Sequence, residues 1–125
     1  MKKKLIMTGA IFCAVSIALN AMGAHMLKQS LTPYELSLLD ISSTMLFYHG
    51  IGIMLHQLLL HQKLCASYLT PYLFLAGSIL FSGSLWLIIL SKHTQFGMIT
   101  PFGGICLIFG WLHLAISCFK SNSIK

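Results

Sequence analysis

Two histidines lie inside an apolar stretch of membrane length. His49 and His56 are one heptad apart in the segment 41–60, which carries no formal charge. At about 1.5 Å per residue this segment is about 30 Å long, the thickness of a bilayer's hydrocarbon core. Histidine changes charge near neutral pH, and ionisable residues inside membranes are candidates for proton relays or ligand contacts. We therefore expect His49 near the membrane midplane as a candidate functional residue.

The seven-residue step continues in both directions from the histidines. It relates Glu35, Ser42, His49, His56 and Lys63, which share one slowly drifting face if the helix is continuous. Polar groups are costly in hydrocarbon, so Ser42, His49 and His56 should form a polar stripe that faces other helices. Two interpretations of His49 stay open, a structural hydrogen bond between helices and a relay or ligand contact. For His56 we favour a structural role.

A third histidine, His113, lies in the last apolar run. It shares a helix face with small and weakly polar residues, namely Gly103, Cys106, Gly110 and Ser117. Its depth falls between those of His49 and His56, so an array of histidines on two helices is geometrically feasible. For His113, as for His56, we favour a structural role.

Composition assigns the chain to the membrane proteins. Of its 125 residues, 57% are hydrophobic and 8% are charged, whereas soluble domains carry roughly 25% charged residues. So little sequence lies outside the apolar runs that we predict a single domain. Its formal net charge of +6 comes from lysines at the ends of apolar runs, without arginine. This distribution does not favour nucleic-acid binding.

The ionisable residues do not group into a catalytic or metal site. Both acids, Glu35 and Asp40, fall at the edge of a predicted span, whereas a metal site needs three or four convergent ligands. The four cysteines form no CxxC pair, and we interpret them as small apolar fillers. We predict no catalytic residues, no metal and no cofactor. A proton-coupled exporter is disfavoured because no acid occurs inside a span.

The elements that must position the histidines are four predicted transmembrane helices, over residues 5–24, 40–61, 70–90 and 100–119. Thr32, Thr70 and Thr100 each precede a proline and are predicted N-caps, with Glu35 completing a capping box after Thr32. The first run is longer than the apolar region of a signal peptide, which favours a membrane helix over a cleaved leader. The fold class is therefore all-α, a polytopic membrane protein.

Lysine positions predict the orientation of this bundle. The termini and the second link carry six lysines, and the opposite side carries Lys28 and Lys92. By the positive-inside rule both termini are cytoplasmic. We expect a multi-pass protein of the cell inner membrane whose surroundings are the lipid bilayer.

Small residues recur on helix faces where they allow close helix packing. The first run carries Gly9, Cys13, Ser16 and Asn20 at steps of four and three, and Asn20 is its most polar member. We predict packing positions at five glycines: Gly9, Gly83, Gly103, Gly104 and Gly110.

Several fragments, spread in order through nearly the whole chain, resemble the YgdD/YwdK-like family of uncharacterised small bacterial inner-membrane proteins, a domain of unknown function with eukaryotic transmembrane relatives. The matching fragments are Gly23-Ala24-His25-Met26-Leu27, Tyr48-His49, Phe81-Ser82-Gly83-Ser84-Leu85, Ile99-Thr100-Pro101-Phe102-Gly103-Gly104 and Phe109-Gly110-Trp111-Leu112. Asn20 and Met22 depart from the family's first motif, and His56 and His113 lie outside its pattern.

The resemblance implies a four-helix membrane protein and supplies no catalytic residue. It implies that any site opens outward above His49. The candidates for this outer mouth are Asn20, His25, Ser82, Ser84 and Thr100.

Two functional hypotheses follow from these patterns. The first is a non-enzymatic accessory or assembly component that acts through helix packing, either with a second copy or with another membrane protein. The second is a small transporter, channel or lipid-handling protein whose route follows the His49 stripe. An enzyme ranks third because the links are too short for an active site outside the membrane.

Overall fold

The computed structural model describes residues 2–122, and four long helices make up most of this range. They are α1 (Lys3–His25), α2 (Pro33–His61), α3 (Leu69–Ser91) and α4 (Thr100–Asn122), with a short 3₁₀ helix at Thr94–Met98 before α4. All four are long and apolar enough to cross a membrane. The predicted fold class, an all-α membrane protein with four spans, is confirmed.

The three Thr-Pro pairs behave differently. At Thr32 the predicted capping box is present, with Thr32 Oγ1 accepting from the Glu35 backbone N–H and Glu35 accepting in return. At Thr70 the prediction is wrong, because α3 already begins at Leu69 and the hydroxyl bonds to His113. The N-cap predicted at Thr100 is also wrong, because Thr100 is already the first residue of α4 and its hydroxyl bonds to Ser84. Contacts with other helices therefore take up the hydroxyls of Thr70 and Thr100.

The helices pack in chain order, α1 on α2, α2 on α3 and α3 on α4. Contacts between α1 and α2 run from Lys2 with Gln57 to Ser16 with Ser43, so these helices are antiparallel. Short links make each later neighbour antiparallel as well, and α2 and α4 therefore run in the same direction.

Small side chains bring α1 against α2. A Cβ atom on Gly9 would lie 2.6 Å from the carbonyl oxygen of Gly50, and one on Gly50 would lie 2.8 Å from that of Gly9. Further along, Cys13 Sγ and Ser16 Oγ donate to backbone carbonyls of α2, at Phe47 and Ser43. Only glycine fits where the two backbones meet.

The other glycines differ in what they contact. A Cβ on Gly110 would lie 2.7 Å from the Phe74 ring, one on Gly103 would overlap the Phe81 backbone, and one on Gly104 would reach Phe81 at 3.8 Å. The packing position predicted at Gly83 is wrong within this chain, since a Cβ there would meet no atom within 4 Å. Gly83 is half-buried, and no atom of another described helix comes within 4 Å of the position of its missing Cβ.

The two ends of the bundle are joined differently. We call the end with Lys2 and the 62–68 link proximal, and the end with Glu35 and Lys92 distal. At the distal end Lys92 Nζ pairs with Glu35 at 2.6 Å. At the proximal end Ser117 Oγ accepts from two backbone N–H groups of the 62–68 link. A cytoplasmic proximal end remains a prediction, and Lys125, which contributed to it, lies outside the described residues.

Candidate functional site: the histidine stripe and the adjacent groove

His49 is buried on α2, and both of its ring nitrogens have partners. The Met45 carbonyl oxygen lies 2.7 Å from Nδ1 and can only accept, so Nδ1 carries the hydrogen. The indole Nε1 of Trp111 lies 3.1 Å from Nε2 and can only donate, so Nε2 is the acceptor. This pair of contacts selects the neutral Nδ1–H tautomer.

An aromatic cluster surrounds the imidazole. The Phe74 ring centroid lies 5.3 Å from that of His49 and 4.8 Å from that of Trp111. Phe74 is fully buried, and Gly52 on α2 and Gly110 on α4 leave room for its ring. Edge and tilted contacts at these separations are favourable. The cluster joins α2, α3 and α4 at mid-depth and fixes the orientation of the His49 ring.

His56 is also buried and has a partner on each nitrogen. Nε2 donates to the Ser67 carbonyl oxygen at 2.8 Å, and Nδ1 accepts from the Gln57 amide at 3.2 Å. The Gln57 oxygen in turn accepts from the backbone N–H of Lys2. The two His56 bonds select the neutral Nε2–H tautomer, the opposite of that in His49. Together with the Gln57–Lys2 bond they connect α2 with the start of α1 and with the 62–68 link.

The predicted stripe is buried, but it is not a hydrogen-bonded chain. Ser42 donates to Leu39 in its own helix, and its carbonyl oxygen accepts from Ser82 of α3 at 2.8 Å. Within residues 2–122, His49 and His56 share no hydrogen-bond partner. His113 has a different partner again, the Thr70 hydroxyl, at 2.9 Å. The described hydrogen bonds hold helices together and do not link the three histidines into one chain.

The outer-mouth candidates do not form one cluster. Ser84 pairs with Thr100 at 2.7 Å between α3 and α4, and Ser82 reaches Ser42. Asn20 accepts from Ser43 between α1 and α2, at 2.6 Å. His25 is exposed at the last residue of α1. The described part of the chain holds no group of three or more His, Cys, Asp or Glu residues arranged for a metal ion.

Beside the aromatic cluster a groove of about 660 Å³ runs between α2 and α4, and Phe81 of α3 forms its floor. We call it the α2–α4 groove. Tyr48 and Trp111 are exposed at its walls, and Gly104 widens it. The rest of its lining consists of the apolar residues Met45, Ile51, Leu107 and Ile108, together with the buried imidazole of His49.

Two features of the structure were not predicted from the sequence, the role of Trp111 and a second small-residue face on α1. Trp111 is the second partner of His49, and its signal in the sequence is that an indole N–H in an apolar span needs an acceptor. In addition, α1 carries a second small-residue face, Ala10, Ala14 and Ala18, which is exposed. Its i, i+4 spacing is visible in the sequence, beside the face that carries Gly9.

Comparisons with known proteins agree with a membrane bundle. Residues 19–104 match the family model described as protein of unknown function DUF423. A UPF0382 membrane protein of Staphylococcus aureus is 32% identical over 118 residues, which cover 94% of this chain and 97% of the relative. The UPF0382 membrane protein YwdK of Bacillus subtilis is 29% identical over 120 residues, covering 94% and 98%. No solved structure matches.

Proposed function

The chain belongs to the DUF423 family, whose function is not established and whose relatives are named membrane proteins, and we propose that it acts in assembly within the membrane. In this proposal the protein is a non-enzymatic component that associates with copies of itself. Helix α1 of one copy packs into the α2–α4 groove of the next. The observation that carries the proposal is this groove, which the chain's own helices leave open.

The lining of the groove suits a transmembrane helix. Its walls are apolar, so an occupant needs no charged group at this depth. Tyr48 and Trp111 offer large exposed surfaces, and aromatic residues of this kind dominate many protein interfaces. On α2 the exposed residues Tyr48, Ile51, Leu55 and Leu58 follow the alternating three- and four-residue steps of helix pairing.

Helix α1 has the complementary surface. It is the least buried of the four helices and contacts its own α2 through the Gly9 face. Its exposed side carries Ala10, Ala14 and Ala18 between Met7 and Ile11 on one flank and Ile17 on the other. Small residues at four-residue spacing let helices approach closely in membranes. This side is therefore shaped to enter a groove.

The depth and direction of α1 also agree with its packing into the α2–α4 groove of a second copy. Cys13 contacts the Phe47 carbonyl of α2 and the two helices are antiparallel, so Ala14 lies at the level of Leu46, within one turn of Tyr48. Copies inserted with the same orientation share this depth, and Ala14 of a neighbour reaches the middle of the groove. There α1 would run antiparallel to both α2 and α4, as it does against its own α2. Such a head-to-tail contact builds rings or open chains of subunits.

The alternative, transport or lipid handling along the His49 stripe, has less support. Every ring nitrogen of His49 and His56 is engaged within the fold. A route along the stripe would have to break these bonds, which join α2 to α4 and to the 62–68 link. Their arrangement favours a packing role for the histidines.

Disulfide cross-linking between two differently tagged chains tests the proposed assembly. In a background without the native cysteines, one chain carries Ala14→Cys and the other carries Ile108→Cys. We expect oxidation in native membranes to join the two chains. The matched control replaces Ile108→Cys by Ile79→Cys, an exposed position near the middle of α3, which should give little product.

Three outcomes would overturn the proposal. Equal yields at Ile108→Cys and Ile79→Cys would indicate random collision. Efficient joining of two Ala14→Cys chains would indicate symmetric pairing of α1. Adducts of Ile108→Cys with a different protein would identify another occupant of the groove.

A further inference from the structure

A second cleft lies at the distal end, on the other side of α2 from the groove. It has a volume of about 330 Å³ between α1 and α2. We call it the distal cleft. Unlike the α2–α4 groove it is lined by two charged residues and an amide, Lys28, Asp40 and Asn20, together with Gly23, Ala24, Leu36 and Leu39.

Asp40 is the unusual member of this cleft. It lies seven residues beyond Pro33, the first residue of α2, which is about 10 Å along the helix axis. Its side chain is exposed, and within residues 2–122 it has no ion-pair partner, whereas Glu35 is paired with Lys92. An acid at the edge of a membrane span normally has a partner or faces water. The carboxylate is therefore available to a cation that enters the cleft.

Lys28 supplies the opposite charge on the same cleft. Its ammonium makes no ion pair with Asp40, although both side chains line one cavity. A lysine at the end of a span extends its ammonium toward the headgroup region. The cleft thus holds one positive and one negative charge that a single zwitterionic molecule would satisfy together.

We propose that the distal cleft binds a phospholipid whose headgroup carries a primary ammonium, of the phosphatidylethanolamine class. The ammonium donates to the Asp40 carboxylate, and the phosphate pairs with Lys28. A primary ammonium has N–H donors for a carboxylate. A choline headgroup has none, and a glycerol headgroup lacks the cation.

An adjoining cleft offers the acyl chain a path toward the bilayer interior. A neighbouring cleft of about 310 Å³ shares Asn20 with the distal cleft and runs deeper between the same two helices, lined by Ser16, Ile17, Thr44, Phe47 and Tyr48. Asn20 Oδ1 accepts from Ser43, which leaves the amide N–H groups for a lipid ester carbonyl at the junction. The headgroup, the ester and the acyl chain of the lipid would lie one after another from the distal end toward the middle of the membrane.

Native mass spectrometry tests the proposal. The full chain is reconstituted in vesicles containing equal mole fractions of dioleoyl phosphatidylethanolamine, phosphatidylcholine and phosphatidylglycerol, then extracted in mild detergent. We expect phosphatidylethanolamine to be retained over the other two, and Asp40→Asn to lower this preference by about two- to fivefold, the effect of an exposed ion pair. Lys28→Gln should weaken retention of all phosphate headgroups.

Two controls separate this site from general effects on the fold. Glu35→Gln makes the same acid-to-amide change on α2 outside the cleft and should leave the preference unchanged. Ala24→Leu fills the cleft without altering charge and should lower retention of phosphatidylethanolamine. Equal retention of the three lipids by the native chain, or an unchanged preference in Asp40→Asn, would overturn the proposal. Neither result bears on cross-linking at the α2–α4 groove.

Discussion

The indole of Trp111 donates to His49 across 3.1 Å, although 62 positions separate the two residues in the chain. This bond completes the hydrogen bonding of a buried imidazole and joins α2 to α4 directly. It sits beside the Phe74 ring, so it combines a polar contact with an aromatic one. The histidine with the strongest functional signal in the sequence is thereby part of the internal packing.

Trp111→Phe should destabilise the fold by about 1–2 kcal/mol, since His49 Nε2 is left without a donor while most of the ring packing remains. Unfolding by titration with dodecyl sulfate in mixed micelles measures the difference. Trp86→Phe is the matched control, because the Trp86 indole makes no hydrogen bond within the described residues. Equal losses in the two variants would argue against the His49 bond.

The two buried histidines should be neutral and of opposite tautomers. The partners of His49 require hydrogen on Nδ1, and those of His56 require hydrogen on Nε2. Nitrogen-15 solid-state NMR of the protein in bilayers at neutral pH distinguishes these forms. His93, exposed in the link before α4, serves as the reference. A charged imidazolium at either buried position would contradict the hydrogen bonding described above.

Gly9→Ala should weaken the α1–α2 contact by about 1–3 kcal/mol, because overpacking forces the backbones apart. The clashing atom is a carbonyl oxygen of α2, which cannot rotate away as a side chain does. Gly83→Ala is the control, with open space around the new methyl group. It should be neutral or stabilise α3 by about 0.5–1 kcal/mol, as expected for glycine to alanine within a helix. The same loss in both variants would contradict the predicted clash.

Cys65 should react slowly with maleimides. It lies in the 62–68 link, where burial raises the pKa of its thiol and the neighbouring Cys118 raises that pKa further. Because the thiolate is the reacting form, a raised pKa lowers the rate at a given pH and shifts the pH–rate profile upward.

The labelling experiment compares two chains with one cysteine each, so that Cys118 is absent and burial alone raises the pKa of Cys65. The first retains Cys65, and the second carries Ala66→Cys at an exposed neighbouring position. We expect the rate for Cys65 to keep rising at pH values where the rate for Ala66→Cys has levelled off. Coincident profiles would refute the raised pKa.

Hydropathy predicts the four helices because crossing a bilayer requires long apolar segments with internally bonded backbones. The capping box at Thr32 was predictable for a similar reason, since its two partners are three residues apart. The burial of His49 followed from the cost of polar groups in lipid. These features depend on local sequence and on the membrane as a solvent.

The partners of the polar side chains were not predictable in this way. Thr70 looks like an N-cap in the sequence, and the competing contact with His113 is 43 positions away. Likewise, Gly83 and Gly110 look equivalent as small residues, yet only Gly110 meets an aromatic ring. Periodicity shows which residues share a face of one helix, whereas tertiary packing decides which neighbour that face meets.

Packing in chain order has a consequence for how the protein is made. Each helix docks against the one synthesised just before it, so contacts accumulate as the helices enter the membrane. The bond between His49 and Trp111 is an exception, because it joins the second helix to the fourth. A ribosome that stops after α3 therefore leaves this imidazole without its second partner, and the bond forms only once α4 has inserted.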